Sequence, residues 1–316
     1  MVDEGLKKMK ELSWHSDVLL VIVVISSMAT AILFPDVGSR FRTLPFYSLL
    51  INFFLSYLSI DLGSVWKTFR GNHARIFVFT VMKLAVLPVI LYFIFYFIVP
   101  DYALSALLLT GISSGVVAPM ISNMVRGNSA LVLVVVVITS ALVPFTLPLL
   151  IEIIAGREVT LSFMSMLRML ATVIFVPITV AEIVRRLFPK IVAPVLKIQF
   201  PVSLLLFAVI NLGVFYRYAP FFKKEPSVIA MATVVVFVLA AIYCVVGILF
   251  FHNRPIGDQL AGAVMLGNIN NVLVIVFSAE FFGPVEPLVA AMYMIPFFVV
   301  IIPLRWYRHR KINTPR

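Results

Sequence analysis

Two clusters of polar residues interrupt apolar stretches of this sequence, one in each half. The first runs from Ser113-Ser114-Gly115 through Ala118-Pro119 to Ser122-Asn123, and the second is Gly267-Asn268-Ile269-Asn270-Asn271. Neither contains the acids, histidines or thiols of an acid–base or nucleophilic centre. Amides, hydroxyls and loosened backbone offer a different chemistry, which is hydrogen bonding to a ligand held away from water. Left unsatisfied in hydrocarbon, each such group costs on the order of several kcal/mol, so they are tolerated only where they line a buried cavity. Matched interruptions in two halves of a chain point to the binding site of a secondary transporter.

Within the clusters, Asn123 and Asn270 are read as substrate-binding residues. Each is expected where a helix restarts after a break, and a restarted helix offers free N–H groups and a positive dipole end suited to an anion. Ser122, Asn268 and Asn271 share the region as further candidates. The competing reading is that these side chains only satisfy unwound backbone. Pro119 is expected to mark the break in the first segment, because proline lacks an N–H and clashes with the preceding turn. Gly267 and the asparagines must serve in the second. Lys83 lies near the middle of the apolar run 74–99. A charge at that depth must face a cavity or a partner rather than lipid. Release of its proton during a transport cycle would add proton coupling. Its bland alternative is a lysine bonded to broken-helix carbonyls with no transport role. Arg168 and Glu182 are 14 residues apart, about 21 Å along a helix, so they cannot pair. Pro88, Pro144 and Pro177 read as ordinary kinks.

These residues need long apolar elements to hold them. The chain has 316 residues, 62% apolar and only 12% charged, with a mean hydropathy of +1.10. That composition is an integral membrane protein's, and its runs lack the alternation of a barrel strand. Spans are expected near 17–35, 45–64, 74–99, 102–125, 129–154, 161–187, 196–216, 227–251, 257–281 and 286–304. Residues 1–16, with Leu6, Met9 and Leu12 spaced three apart, read as a cytoplasmic segment forming an interfacial helix or a solvated tail. Residues 305–316 read as a basic cytoplasmic tail.

The net charge of +11 is explained by membrane orientation, and no nucleic-acid partner is expected. With both termini inside, 17 lysines and arginines fall on the inner side and 6 on the outer. The expected location is the cell inner (plasma) membrane, multi-pass, with both termini cytoplasmic. Residues 17–155 and 156–304 then form two five-helix halves of opposite orientation, an inverted repeat whose fourth members are broken. The expected fold is all-α, with ten transmembrane helices and broken, crossing helices 4 and 9. Cys244 is the single cysteine, so no disulfide forms within the chain. His15, His73, His252 and His309 fall at span ends or tails, no paired carboxylates occur in a span, and no Walker loop is present. The chain is therefore not expected to be an enzyme, and no metal, cofactor or obligate protein partner is expected.

Several stretches resemble the bile acid:sodium symporter family across nearly all of the chain after about residue 17. They are Leu58-Ser59-Ile60-Asp61-Leu62, Phe69-Arg70, Lys83-Leu84-Ala85-Val86-Leu87-Pro88, Arg126-Gly127-Asn128-Ser129-Ala130-Leu131, Pro144-Phe145-Thr146-Leu147-Pro148, the Gly267–Asn271 cluster and Phe281-Phe282-Gly283-Pro284. The auxin efflux carrier family is a more distant resemblance. The likeness implies ten-helix carriers with a panel and a core domain, in which two unwound helices cross and meet the substrate.

The same resemblance makes the departures informative. Lys83 stands where the family's sodium-binding glutamine is expected, Met265 where its glutamate is, and Ile269 where a second glutamine is. The fifth helix reads Val132–Val137 where hydroxyls are usual. The favoured reading is a sodium-independent carrier of a small organic anion, working by alternating access, with Lys83 replacing the ion. A symporter with a non-standard sodium site is one alternative. A channel or non-transporting receptor on the same fold is another.

Overall fold

The computed structural model describes residues 19, 22–60, 62–154 and 162–313. The expected interfacial segment at 1–16, and Asp61, lie outside the described residues. In chain order the helices are α1 (Ile22–Leu33), α2 (Pro35–Ser39), α3 (Leu44–Leu58), α4 (Leu62–Val81), α5 (Leu87–Ile98), α6 (Ala103–Gly111), α7 (Ala118–Val125), α8 (Ser129–Ile154) and α9 (Phe163–Leu187). They continue as α10 (Pro189–Lys197), α11 (Gln199–Phe215), α12 (Ala219–Lys224), α13 (Pro226–Phe250), α14 (Ile256–Gly267), α15 (Asn271–Phe281), α16 (Val285–Met292), α17 (Met294–Val299) and α18 (Ile301–Asn313).

The protein is an all-helical membrane protein, and among the described residues six helices are long and apolar enough to cross a bilayer: Thr68–Ile98, Ser129–Ile154, Phe163–Leu187, Gln199–Lys224, Pro226–Phe250 and Val285–Ile312. Shorter apolar helices cover Ile22–Leu33, Leu44–Leu58 and Asn271–Phe281. The expected runs 102–125 and 257–281 are each split in two, which is why neither contributes a single long helix. The last expected span ends at 304, but helix continues to Asn313, so much of the basic tail is helical.

Local sequence accounts for the irregularities. Asn72 (φ −138°) kinks α4. A π-helical turn, Met82–Val86, joins α4 to α5 just before Pro88. Pro88 has no N–H for the Leu84 carbonyl and its ring would crowd it, so the helix widens there. Pro144 and Pro177 lie inside the continuous helices α8 and α9.

Helix packing sets the site. α3 packs on α9 and α11, while α13 packs on α14 and α16, and α14 on α7 and α8. The α13–α14 contact is the most extensive of these. Gly247 and Gly262 face each other so tightly that a Cβ on either would collide with the other's carbonyl group. Small residues permit that approach where no water-driven force presses helices together.

Candidate functional site

Both polar clusters are real breaks, and they meet. Residues between Gly111 and Ala118, and between Gly267 and Asn271, leave the helix. Ser114 and Ile269 form an isolated antiparallel bridge. The Gly115 N–H donates to Asn268 O at 2.7 Å, and the Asn270 N–H donates to Ser113 O at 3.0 Å. Each break therefore satisfies part of the other's backbone, which apolar surroundings otherwise make costly.

Side chains from neighbouring helices complete this support. Ser114 Oγ donates to Met265 O at 2.6 Å. The Ser114 N–H donates to Thr139 Oγ1 of α8 at 3.2 Å. Tyr293 Oη donates to Gly267 O at 2.8 Å, and Asn268 Nδ2 donates to Phe297 O at 3.0 Å. Gly267 thus ends α14 with its carbonyl capped by a tyrosine rather than by a following turn.

A cavity of about 380 Å³ opens against the paired breaks, within the usual size range for small-ligand sites. Gly115, Val116, Val117, Ile269, Asn270, Asn271 and Val272 form one wall, with Asn52, Phe53, Ser56, Gln199, Ser203 and Phe207 of α3 and α11 opposite. Its described lining contains no Lys, Arg, Asp or Glu. Asn270 Oδ1 caps α15 by accepting the Leu273 N–H at 3.3 Å. Asn271 Nδ2 contacts Met294 Sδ at 2.9 Å, while Asn271 Oδ1 and Asn52 Nδ2 are buried without a partner among the described residues. The N–H groups of Val116, Val117 and Val272 find no acceptor among the described residues. Unpaired donors are therefore gathered at the starts of two helices, α7 and α15, where the dipoles point their positive ends.

The expected site residues separate here. Asn270 and Asn271 line the cavity, and Asn268 braces the break behind it. Asn123 does not stand at a helix restart, which corrects that expectation. α7 restarts at Ala118, so Asn123 lies near its far end, exposed, bonded to Ser129 Oγ. Ser122 is fully buried under Gly127, and its Oγ lacks a partner among the described residues. Pro119 sits in the first turn of α7, where a missing N–H costs nothing, rather than inside the break. Lys83 is 1% exposed and lies in the π turn packed on α6 and α8. It is not part of the cavity lining, and it forms no hydrogen bond or ion pair among the described residues. Glu182 pairs with Arg185 and Arg186 at 3.0 and 2.6 Å, so Arg168 is not its partner. Asn52, Thr139 and Tyr293 were not singled out in the sequence. Asn52 carries the same signal as Asn270, an amide inside an apolar run.

The sodium bile acid symporter family model matches residues 47–253. The chain belongs to that family. No curated protein matches the sequence. Membership makes the chain a membrane transporter rather than an enzyme, and it implies a transported solute. The matched residues include the first break of this family member and stop before α14, so the second break lies beyond them.

A second cavity, about 530 Å³, is lined by Arg42, Phe46, Tyr47, Ser165, Val214, Arg217, Val276 and Glu280 among others. It shares α3, α11 and α15 with the first. Along these helices the two linings come nearest at Tyr47 and Asn52, Phe207 and Val214, and Val272 and Val276. Between them Leu49, Ile210 and Leu273 are fully buried, leaving a septum only one or two helical turns thick.

Proposed function

We propose that this protein is a secondary carrier for a small organic anion, alternating between the two cavities and independent of sodium. The paired breaks carry this reading, because they present unbonded backbone N–H groups and Asn270 to an uncharged cavity. An anion is held there by dipoles whose orientation is already fixed. The thin septum of Leu49, Ile210 and Leu273 supports alternating access, since a small shift of α15 against α3 and α11 would exchange which cavity reaches the breaks.

In the same reading the chain crosses the membrane ten times as two inverted five-helix repeats, counting α1, α3, both broken helices and the six long ones. The lysine and arginine distribution supports both termini being cytoplasmic. Lys83 replaces the missing ion, its buried ammonium supporting the α6 end of the first break through the π turn. Asn270 and Asn271 contact the substrate, and Asn52 answers from the opposite wall. The test is reconstitution in proteoliposomes and uptake of a panel of organic anions in sodium, potassium or choline. Anion uptake indifferent to the cation supports the reading, and steep sodium dependence overturns it.

One observation favours the second reading, a symporter with a non-standard sodium site. Ser113 Oγ, Asn268 Oδ1 and Asn271 Oδ1 are buried oxygens near the breaks without partners among the described residues. Oxygen ligands of that kind suit a hard cation. The same uptake experiment decides between the two.

A further inference from the structure

The apolar helical stretch Val285–Ile312 is longer than a bilayer core. Its 28 residues extend about 42 Å, against about 30 Å of hydrocarbon. With Val285 at one boundary, roughly the last eight residues project past the other. That overhang carries Arg305, Arg308, Arg310 and Lys311, and no acidic residue follows Glu286 in the sequence.

One face of α18 is graded along its length. Ile302, Trp306 and Arg310 follow at four-residue spacing and so share that face. Ile302 and Trp306 are 59% and 55% exposed. The Arg310 guanidinium lies 4.0 Å over the Trp306 ring. In about 12 Å the face passes from aliphatic to interfacial aromatic to cation, the order of a lipid's acyl chain, glycerol and phosphate.

We propose that this face of α18 binds an anionic phospholipid, with the phosphate at Arg310 and Lys311 and an acyl chain along Ile302. Occupancy would reach the transport core. Arg305 Nε donates to Met124 O of α7 at 3.3 Å, and Tyr307 Oη donates to Gln259 Oε1 of α14 at 2.6 Å. Gln259 Nε2 in turn holds the His252 and Arg254 carbonyls at 3.1 and 2.8 Å. α18 thus straps together one half of each broken helix, and a lipid that steadies α18 steadies both.

The test uses the full chain purified in detergent, with phosphatidylcholine, phosphatidylglycerol or inorganic phosphate added. Thermal melting and native mass spectrometry of retained lipid are both read. Phosphatidylglycerol should raise the melting temperature above that in phosphatidylcholine, and phosphate alone should not. Arg310→Gln with Lys311→Gln should weaken phosphatidylglycerol binding roughly thirtyfold, the equivalent of about 1 kcal/mol for each lost cation. Lys223→Gln with Lys224→Gln, an equal charge loss on α12, should keep the preference. The retained-lipid measurement holds if the first variant is itself less stable. Equal retention of the two lipids by wild type, an unchanged preference in the Arg310/Lys311 variant, or a phosphate effect equal to the lipid's would each overturn the proposal.

Discussion

The Gly115 N–H donates to the Asn268 carbonyl at 2.7 Å, so two segments over 150 residues apart in sequence share one backbone hydrogen bond. The approach depends on the missing side chain. A Cβ at Gly115 would stand 2.7 Å from Ile269 O and 3.2 Å from Asn268 O, and both neighbours are backbone. Gly115→Ala should therefore separate the breaks, lowering the melting temperature and abolishing uptake together. Wild-type stability in this variant would show that the bridge does not hold the site.

Thr139 offers a milder perturbation of the same bridge. Its Oγ1 accepts the Ser114 N–H at 3.2 Å while donating to Val135 O at 2.7 Å. Thr139→Val keeps the shape and strands a buried N–H, at a cost of about 1–3 kcal/mol. A lower melting temperature of the detergent-purified protein is expected, and no change would mean that another acceptor is within reach.

Cavity and hairpin asparagines should part company. Asn270→Ala removes an α15 cap and a cavity group, and Asn52→Ala removes an unpartnered donor from the opposite wall. Both should weaken stabilisation by whichever organic anion raises the wild-type melting temperature. Asn123→Ala, outside the cavity, should leave that stabilisation intact. The reverse pattern would relocate the substrate to the α7–α8 hairpin.

Lys83 supplies the fourth expectation. Lys83→Ala should leave the protein folded and reduce anion uptake strongly. Lys83→Gln should not create sodium dependence, because the proposed reading puts Met265 in the place of the family's glutamate. If the lysine releases its proton during the cycle, the pH-dependent part of wild-type uptake disappears in Lys83→Ala. Wild-type uptake rates in Lys83→Ala would make the lysine a structural passenger.

Much of this architecture was legible in the sequence because the signals are contrasts. Glycine, serine and asparagine inside apolar runs marked both breaks within a few residues. What composition cannot convey is where a broken helix resumes. Pro119 suggested an interruption, yet proline is equally at home in a first turn, and α7 begins there. That displaced Asn123 from the cavity to the hairpin. The π turn at Lys83 was invisible because it arises from Pro88 five residues later and from packing on α6 and α8. Asn52 is an amide inside an apolar run like Asn270, but that it shares a cavity with residues of other helices is a relation no local pattern carries.

The uncharged lining of the 380 Å³ cavity has a kinetic consequence. Long-range attraction speeds encounter only where net charge projects into solution. Hydrogen-bond donors and helix ends act over a few ångströms, after the solute has already arrived. The lining itself should therefore add no steering, and any dependence of capture on ionic strength would come from the basic residues outside it. Discrimination between solutes would then be expressed in how slowly the right one leaves, not in how quickly it is found.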